Sequence, residues 1–77
     1  MHLQLSKTVF WDVNFNELDE DKHSDFIIAR IFQYGLLEDL KIVLQKFSDD
    51  QIKQALRAQR GLDKYTVDFA KAIGYLE

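Results

Sequence analysis

Residues 10–35, FWDVNFNELDEDKHSDFIIARIFQYG, hold six of the ten aromatic residues of the chain and decide its fold. They divide into an aromatic segment, an acidic turn at residues 16–21 and an apolar helix that is predicted to run from about Lys22 to Tyr34. Apolar side chains cover most of the circumference of this helix, and only Asp25, Ala29 and Gln33 mark a solvent-exposed edge. A helix that is apolar on nearly every side belongs at the centre of a core.

The aromatic segment before this helix has the pattern of an extended strand. Val9, Trp11, Val13 and Phe15 alternate with more polar neighbours and with Phe10, which is the period of two that a strand requires. No partner strand is evident elsewhere in the sequence, and an isolated strand is not stable in water. We therefore expect residues 1–16 to form an extended arm that packs across the helices or pairs with a second copy of the chain.

Three more helices are predicted after the first. The apolar positions Leu37, Leu40, Leu44 and Phe47 form a single-face stripe that indicates a second helix. The sequence from Ser48 to Gln51 matches a capping box, which marks the start of a third helix.

The last helix is predicted to begin at a cap on Asp63 and to bury Thr66, Phe69, Ala70 and Ile73. Three glycines follow the amphipathic runs and are expected at the helix ends, since glycine adopts the left-handed conformation without strain: Gly35, Gly61 and Gly74.

The predicted fold is all-α, with four short helices in a compact bundle. Residues 1–77 are expected to form one domain, in which residues 17–77 are the helical core.

Composition restricts the class of protein. The chain has 77 residues, of which 47% are hydrophobic and 30% are charged, as in a globular domain. It contains no cysteine, which excludes disulfides and thiolate zinc sites. No signal peptide or membrane span is predicted, so a cytoplasmic location without membrane contact is expected.

Charge is unevenly distributed along the chain. The net charge of −3 argues against a protein that coats nucleic acid. Residues 1–39 carry eight acids against three bases, a net charge of −5, whereas residues 40–77 carry five acids against seven bases, a net charge of +2. An acidic half and a mildly basic half suit a protein that binds a partner.

Arg30 is the unusual residue of the first helix, because it is a cation on a face where core contacts are expected. Phe26 and Tyr34 lie four residues before and after it, where their rings can stack on the guanidinium. A half-buried arginine also needs a carboxylate, and the candidates are Asp12, Asp19 and Asp39. The favoured interpretation is a structural ion pair between the arm and the helix. The alternative is that Arg30 and His23, two helical turns apart, bind a phosphate or an acidic partner together.

Catalysis is not predicted. His23 has no cysteine, glycine-flanked serine or second histidine within reach to form a catalytic group, apart from His2 near the N-terminus. The acidic residues around it lack the spacing of a metal site, and the EF-hand pattern is absent. The sequence therefore predicts no cofactor and no bound metal.

Two modes of binding follow from the remaining residues. Phe10, Trp11 and Phe15 bring large apolar area to the arm, and aromatic residues of this kind dominate protein interfaces. With His23 and Arg30 they are the predicted contact residues for a protein partner or for a homodimer. The alternative is a helix-turn-helix in the C-terminal half that binds DNA, with five basic residues facing phosphate: Lys53, Arg57, Arg60, Lys64 and Lys71.

The order of these residues resembles a family of short, uncharacterised bacterial proteins with the pattern FWD…LD…H..FII.R…YG..ED. The pattern corresponds here to Phe10-Trp11-Asp12, Leu18-Asp19, His23, residues 26–30, Tyr34-Gly35 and Glu38-Asp39. The second half is similar as well, at Arg57, Arg60-Gly61-Leu62, Thr66 and Phe69. Members of that family are often encoded beside abortive-infection nucleotidyltransferase toxins. The resemblance implies an antitoxin-like regulatory protein whose partner is such a toxin.

Overall fold

The computed structural model of the chain describes residues 3–59 and 61–76. These residues form four α-helices and no strand: α1 (Ser24–Tyr34), α2 (Leu37–Lys46), α3 (Asp49–Ala58) and α4 (Lys64–Ala72). The Cα radius of gyration is 11.5 Å, close to the roughly 11.5 Å expected for a compact chain of this length. The prediction of an all-α bundle of four short helices is confirmed. Within the described ranges, the helices are too short or too polar to cross a bilayer.

Helix α1 is the centre of the bundle, as its apolar sequence predicted. It contacts α2, α3 and α4, and it also contacts the segment that precedes it in the chain. Its buried side chains include Ile27, Ile28 and Ile31. Ala29 is buried too, so its assignment to the solvent-exposed edge was wrong. Neighbours surround α1 on most sides, which encloses even this small side chain.

The N-terminal arm is not an extended strand. It contains two 3-10 turns, Lys7–Phe10 and Phe15–Glu17, and the expectation of an extended arm over residues 1–16 is corrected accordingly. Successive side chains of a strand point to opposite faces, but the consecutive residues Val9 and Phe10 are both buried in the core. A tight turn allows both to face inward, so the arm is folded onto the helices and forms part of the core.

Helix α2 is rotated relative to the predicted stripe. Its buried residues are Asp39 and Val43, followed by Phe47 directly after the helix, whereas Leu37 is 65% exposed. Leu40 and Leu44 of the predicted stripe are partly buried against the core. Asp39 is buried beside them because its carboxylate accepts hydrogen bonds from the backbone of Ser6 and of Leu36.

The helix starts follow the local signals of the sequence. The Ser48 hydroxyl accepts from the Gln51 N–H, and the Gln51 side chain accepts from the Ser48 N–H, which completes the predicted capping box of α3. Asp63 caps α4 by accepting from the Thr66 N–H at 2.7 Å. Both predicted caps are confirmed.

Gly35 is the C-cap of α1 and Gly74 follows the C-cap of α4, whereas Gly61 lies two residues after Gln59, the C-cap of α3. Gly61 and Gly74 have positive φ values of 81° and 91°, in the left-handed region that was predicted. Gly35 has φ −71° instead. It is needed for a steric reason, because a Cβ there would lie 2.6 Å from the carbonyl oxygen of Ile31.

Candidate functional site: an arginine clasp and an exposed tryptophan

The arm is fastened to α1 by an ion pair between Arg30 and Asp12. The two guanidinium NH groups donate to the two carboxylate oxygens at 2.7 and 3.1 Å, and one of them also donates to the carbonyl oxygen of Val9 at 3.2 Å. The Arg30 side chain is only 12% exposed, whereas that of Asp12 is 48% exposed. The predicted structural ion pair between arm and helix is confirmed, and Asp12 is the carboxylate among the three candidates that forms it.

Three aromatic rings surround the guanidinium of Arg30. Its Cζ atom lies 4.7 Å from the centroid of Trp11, 4.8 Å from that of Phe26 and 5.8 Å from that of Tyr34. Such contacts are attractive, and more so where the cation is shielded from water. We call Arg30, Asp12 and these three rings the arginine clasp. Because Arg30 is enclosed by it, the alternative in which Arg30 and His23 offer an open anion site does not fit the structure.

The clasp presents two of its rings to solvent. Trp11 is 64% exposed and Tyr34 is 53% exposed, and their rings meet edge to face with centroids 5.2 Å apart. Leu36 directly precedes α2 and Leu37 is its first residue, and both are more than half exposed as well. The sequence did not single out Tyr34, Leu36 or Leu37 as surface residues, because Tyr34 was assigned to the apolar circumference of the first helix and Leu37 to the inner stripe of the second.

The other aromatic residues predicted for partner binding lie deeper. Phe10 is 2% exposed, so it belongs to the core rather than to a contact surface. Its ring packs against Phe15 and Phe26, with centroids 5.5 and 6.2 Å away. Phe15 is partly buried against the same core. Trp11 is therefore the arm residue that combines a large apolar side chain with exposure.

His23 lies outside the arginine clasp. It directly precedes α1 and is exposed, and its Nδ1 accepts from the Asp19 N–H at 2.9 Å. Asp19 in turn accepts from the N–H groups of Asp21 and Lys22, which lowers the pKa of its carboxyl. These bonds link the acidic turn to the start of α1.

The clasp makes stability depend on pH. The hydrogen bond from Arg30 lowers the pKa of Asp12 below its ordinary value of 3.8. A carboxyl whose pKa falls on folding stabilises the fold fully at pH values above its ordinary pKa. This stabilisation is lost as the pH falls through the lower pKa of the folded state. We expect Asp12→Asn to lower the urea midpoint at pH 7, and we expect its difference from the parent chain to shrink below pH 3.8. Urea unfolding followed by circular dichroism at several pH values measures this.

The control for that prediction is Asp21→Asn, which changes an exposed carboxylate in the same acidic half. It should leave the urea midpoint at pH 7 close to that of the parent. An Asp12→Asn deficit that stays the same from pH 7 to pH 2.5 would show that the ion pair does not contribute to the acid dependence.

The basic residues proposed for DNA contact lie on α3, on α4 and between them. Arg57, Lys64 and Lys71 are exposed, and Lys53 is partly buried. Arg60 lies outside the described residues. Lys53 and Arg57 share one side of α3, four residues apart, while Lys64 and Lys71 lie on α4 with Asp68 between them. The structure places Arg57, Lys64 and Lys71 at the surface, and a role of the basic residues in nucleic-acid binding stays a prediction.

In the described part of the chain, no group of three or more acidic or histidine side chains is placed to hold a metal ion. No ligand-sized pocket opens on the surface formed by these residues. The surface features that remain are the exposed rings of the clasp and the exposed apolar side chains of α4.

Comparison with known proteins identifies a family for most of this structure. Residues 5–56 match a family of unknown function, DUF6922. The match spans the arm from Leu5 onward, α1, α2 and most of α3, whereas α4 lies beyond it. Searches of the curated proteins and of the solved structures gave no match. The expected resemblance to an uncharacterised family is thereby confirmed, and the link to toxin genes stays a prediction. Because the matched segment covers more than half of its length, the chain belongs to the family of unknown function DUF6922.

Proposed function

We propose that the chain is a protein-interaction module that acts without catalysis and binds its partner through Trp11, Tyr34 and the adjoining end of α1. The observation that carries this proposal is the exposure of Trp11 in a fixed position. Trp11 is 64% exposed while its indole ring lies against the guanidinium of Arg30 and meets the ring of Tyr34 edge to face. An exposed tryptophan that is already held in one place loses little conformational entropy on binding, and such residues are typical anchors of interfaces.

The surroundings of Trp11 favour a protein rather than a nucleic acid as the partner. The arginine nearest to it is neutralised by Asp12, and the first 39 residues carry a net charge of −5. Phosphate backbones would be repelled by that charge. A partner surface with an apolar pocket and basic residues around it would complement both the ring and the carboxylates.

The partner that we propose to test first is the product of the adjacent gene. The resemblance described above implies an antitoxin-like protein whose neighbour is a nucleotidyltransferase-type toxin. In that role the chain would act in the cytoplasm as a regulatory protein that masks the toxin. His23 would have a structural role, since its Nδ1 holds the acidic turn in front of α1.

Replacing Trp11 tests the proposal. We expect Trp11→Ala to reduce co-purification with the adjacent gene product by at least about tenfold, because truncation of a central interface anchor costs about 2 kcal/mol or more. The helical circular dichroism signal should be retained, since most of the Trp11 side chain lies outside the core. A pull-down of the co-expressed pair measures the first quantity and circular dichroism the second.

The matched control is Tyr65→Ala, which removes an aromatic ring that is 87% exposed on α4. Co-purification should survive this change. If Tyr65→Ala abolishes it and Trp11→Ala does not, the partner binds α4 and the proposed surface is wrong.

A further inference from the structure

The guanidinium of Arg30 links an exposed ring to the core. Its Cζ atom lies 4.7 Å from the centroid of Trp11 and 4.8 Å from that of Phe26. Phe26 in turn contacts the buried ring of Phe10, with centroids 6.2 Å apart. A continuous set of contacts therefore connects Trp11 at the surface with Phe10 in the core, and Arg30 is its central member.

Three hydrogen bonds fix this guanidinium. Two go to the two oxygens of Asp12 at 2.7 and 3.1 Å, and the third goes to the carbonyl oxygen of Val9 at 3.2 Å. Two parallel bonds to one carboxylate set the direction of the guanidinium plane, whereas an ammonium group binds as a point charge. Val9 lies two residues before Trp11 and Asp12 directly after it. Arg30 therefore binds the chain on both sides of Trp11 and also contacts its ring.

Tyr34 supports the Trp11 ring from the same helix. It lies one turn after Arg30 on α1, and its ring meets that of Trp11 edge to face with centroids 5.2 Å apart. These contacts hold the Trp11 ring against α1 although the residue is 64% exposed. An exposed side chain without such contacts exchanges rotamers within picoseconds to nanoseconds. Ordering that side chain on binding weakens affinity by about twofold to tenfold.

We infer that Arg30 and Asp12 are positioning residues of the partner site, which hold the Trp11 ring in the orientation in which it binds. Affinity for the partner then depends on both residues, although neither has to touch the partner. The inference rests on the proposed function, because it assigns the ion pair a role in binding through Trp11. An ion pair with a structural role alone would contribute to folding stability and leave the affinity unchanged.

The motion of the Trp11 ring tests the first half of the inference on the chain alone. Trp11 is the only tryptophan in the sequence, so its fluorescence reports on this ring. Time-resolved anisotropy of the parent should show the ring moving with the whole domain. Arg30→Lys keeps a positive charge beside Asp12 but loses the planar fork, and it should add a fast local motion to the anisotropy decay. Circular dichroism checks that the helices are retained.

Binding to the adjacent gene product, measured by isothermal titration calorimetry, tests the second half. Arg30→Lys is expected to raise the dissociation constant by about twofold to tenfold, which is less than the effect of Trp11→Ala. Asp12→Asn should release the ring and weaken binding in the same way, and it decides the question if Arg30→Lys loses its helicity. The control is Lys7→Gln, which removes a cation 5.8 Å from the ring centroid of Phe15 in the same arm. Ring motion and affinity should stay as in the parent.

Release of the ring together with weaker binding supports the inference. A parent ring that already moves independently of the domain would overturn it, and so would a ring that stays fixed in Arg30→Lys. If the ring is released, the affinity is unchanged and Trp11→Ala still weakens binding, the proposed function stands and the positioning role is wrong. If Trp11→Ala leaves the affinity unchanged, the proposed function itself fails and the positioning role fails with it.

Discussion

Phe10→Ala is expected to lower the free energy of unfolding by about 3–5 kcal/mol, as removal of a fully buried phenylalanine ring does elsewhere. Phe10 is 2% exposed and packs against Phe15 and Phe26. Native domains have only about 5–15 kcal/mol of stability in total. A small domain has a stability near the low end of that range, because it buries a smaller fraction of its surface. In this 77-residue chain, this one change in the arm should therefore bring the domain close to unfolding. Urea and thermal unfolding followed by circular dichroism measure the loss.

The control for Phe10→Ala is Val13→Ala, a truncation in the same segment at a side chain that is exposed. Surface changes of this kind usually alter stability by less than about 0.5 kcal/mol. A Phe10→Ala protein that melts like the Val13→Ala protein would show that the arm is not part of the folding unit. In that case the core would be formed by the helices alone.

Phe10 also shows why the arm was wrongly predicted as a strand. The alternation at Val9, Trp11, Val13 and Phe15 placed Phe10 on the opposite, outer face. In the structure Val9 and Phe10 are both buried, while Trp11 is exposed. The choice between a strand and a turn depended on whether another strand was available to pair with. Alternation within seven residues does not contain that information, and the helices supplied the contacts instead.

Helix starts were predictable because their signals are local. The Ser48 box and the Asp63 cap involve residues three apart, so the sequence alone contains both partners. The Arg30 clasp was partly predictable for the same reason, since Phe26 and Tyr34 lie one helical turn from Arg30. Its carboxylate comes from 18 residues away, and the sequence left three candidates for it.

The surface of the candidate site was less predictable than its interior. Helix α2 is an example: the apolar stripe through Leu37, Leu40 and Leu44 pointed to one inner face, but Asp39 is buried in the structure and Leu37 is exposed. Hydrophobic periodicity treats aspartate as a solvent-facing residue. A burial that depends on hydrogen bonds to Ser6, 33 residues away, is not visible in the local pattern.

Asp39→Ala is expected to lower the free energy of unfolding by about 3 kcal/mol, because it leaves two partly buried backbone donors without an acceptor and each costs about 1–3 kcal/mol. The carboxylate is 2% exposed. One of its oxygens accepts from the N–H and the hydroxyl of Ser6 at 2.9 and 3.1 Å, and the other accepts from the N–H of Leu36 at 3.0 Å. It therefore joins the arm to the start of α2. Chemical denaturation measures the loss, and amide hydrogen exchange at Ser6 and Leu36 should become faster together.

Ser6→Ala separates the contribution of the hydroxyl from that of the backbone. It removes one hydrogen bond to Asp39 and keeps the N–H that donates at 2.9 Å, so it should cost only about 1 kcal/mol. Asp39→Asn offers a further comparison. Its amide keeps one acceptor oxygen but turns an NH2 group toward a backbone donor. The loss of stability in Asp39→Asn should therefore lie nearer to that in Asp39→Ala than to that in Ser6→Ala. If Asp39→Ala proved no more destabilising than Ser6→Ala, the buried carboxylate would not be what joins arm and helix.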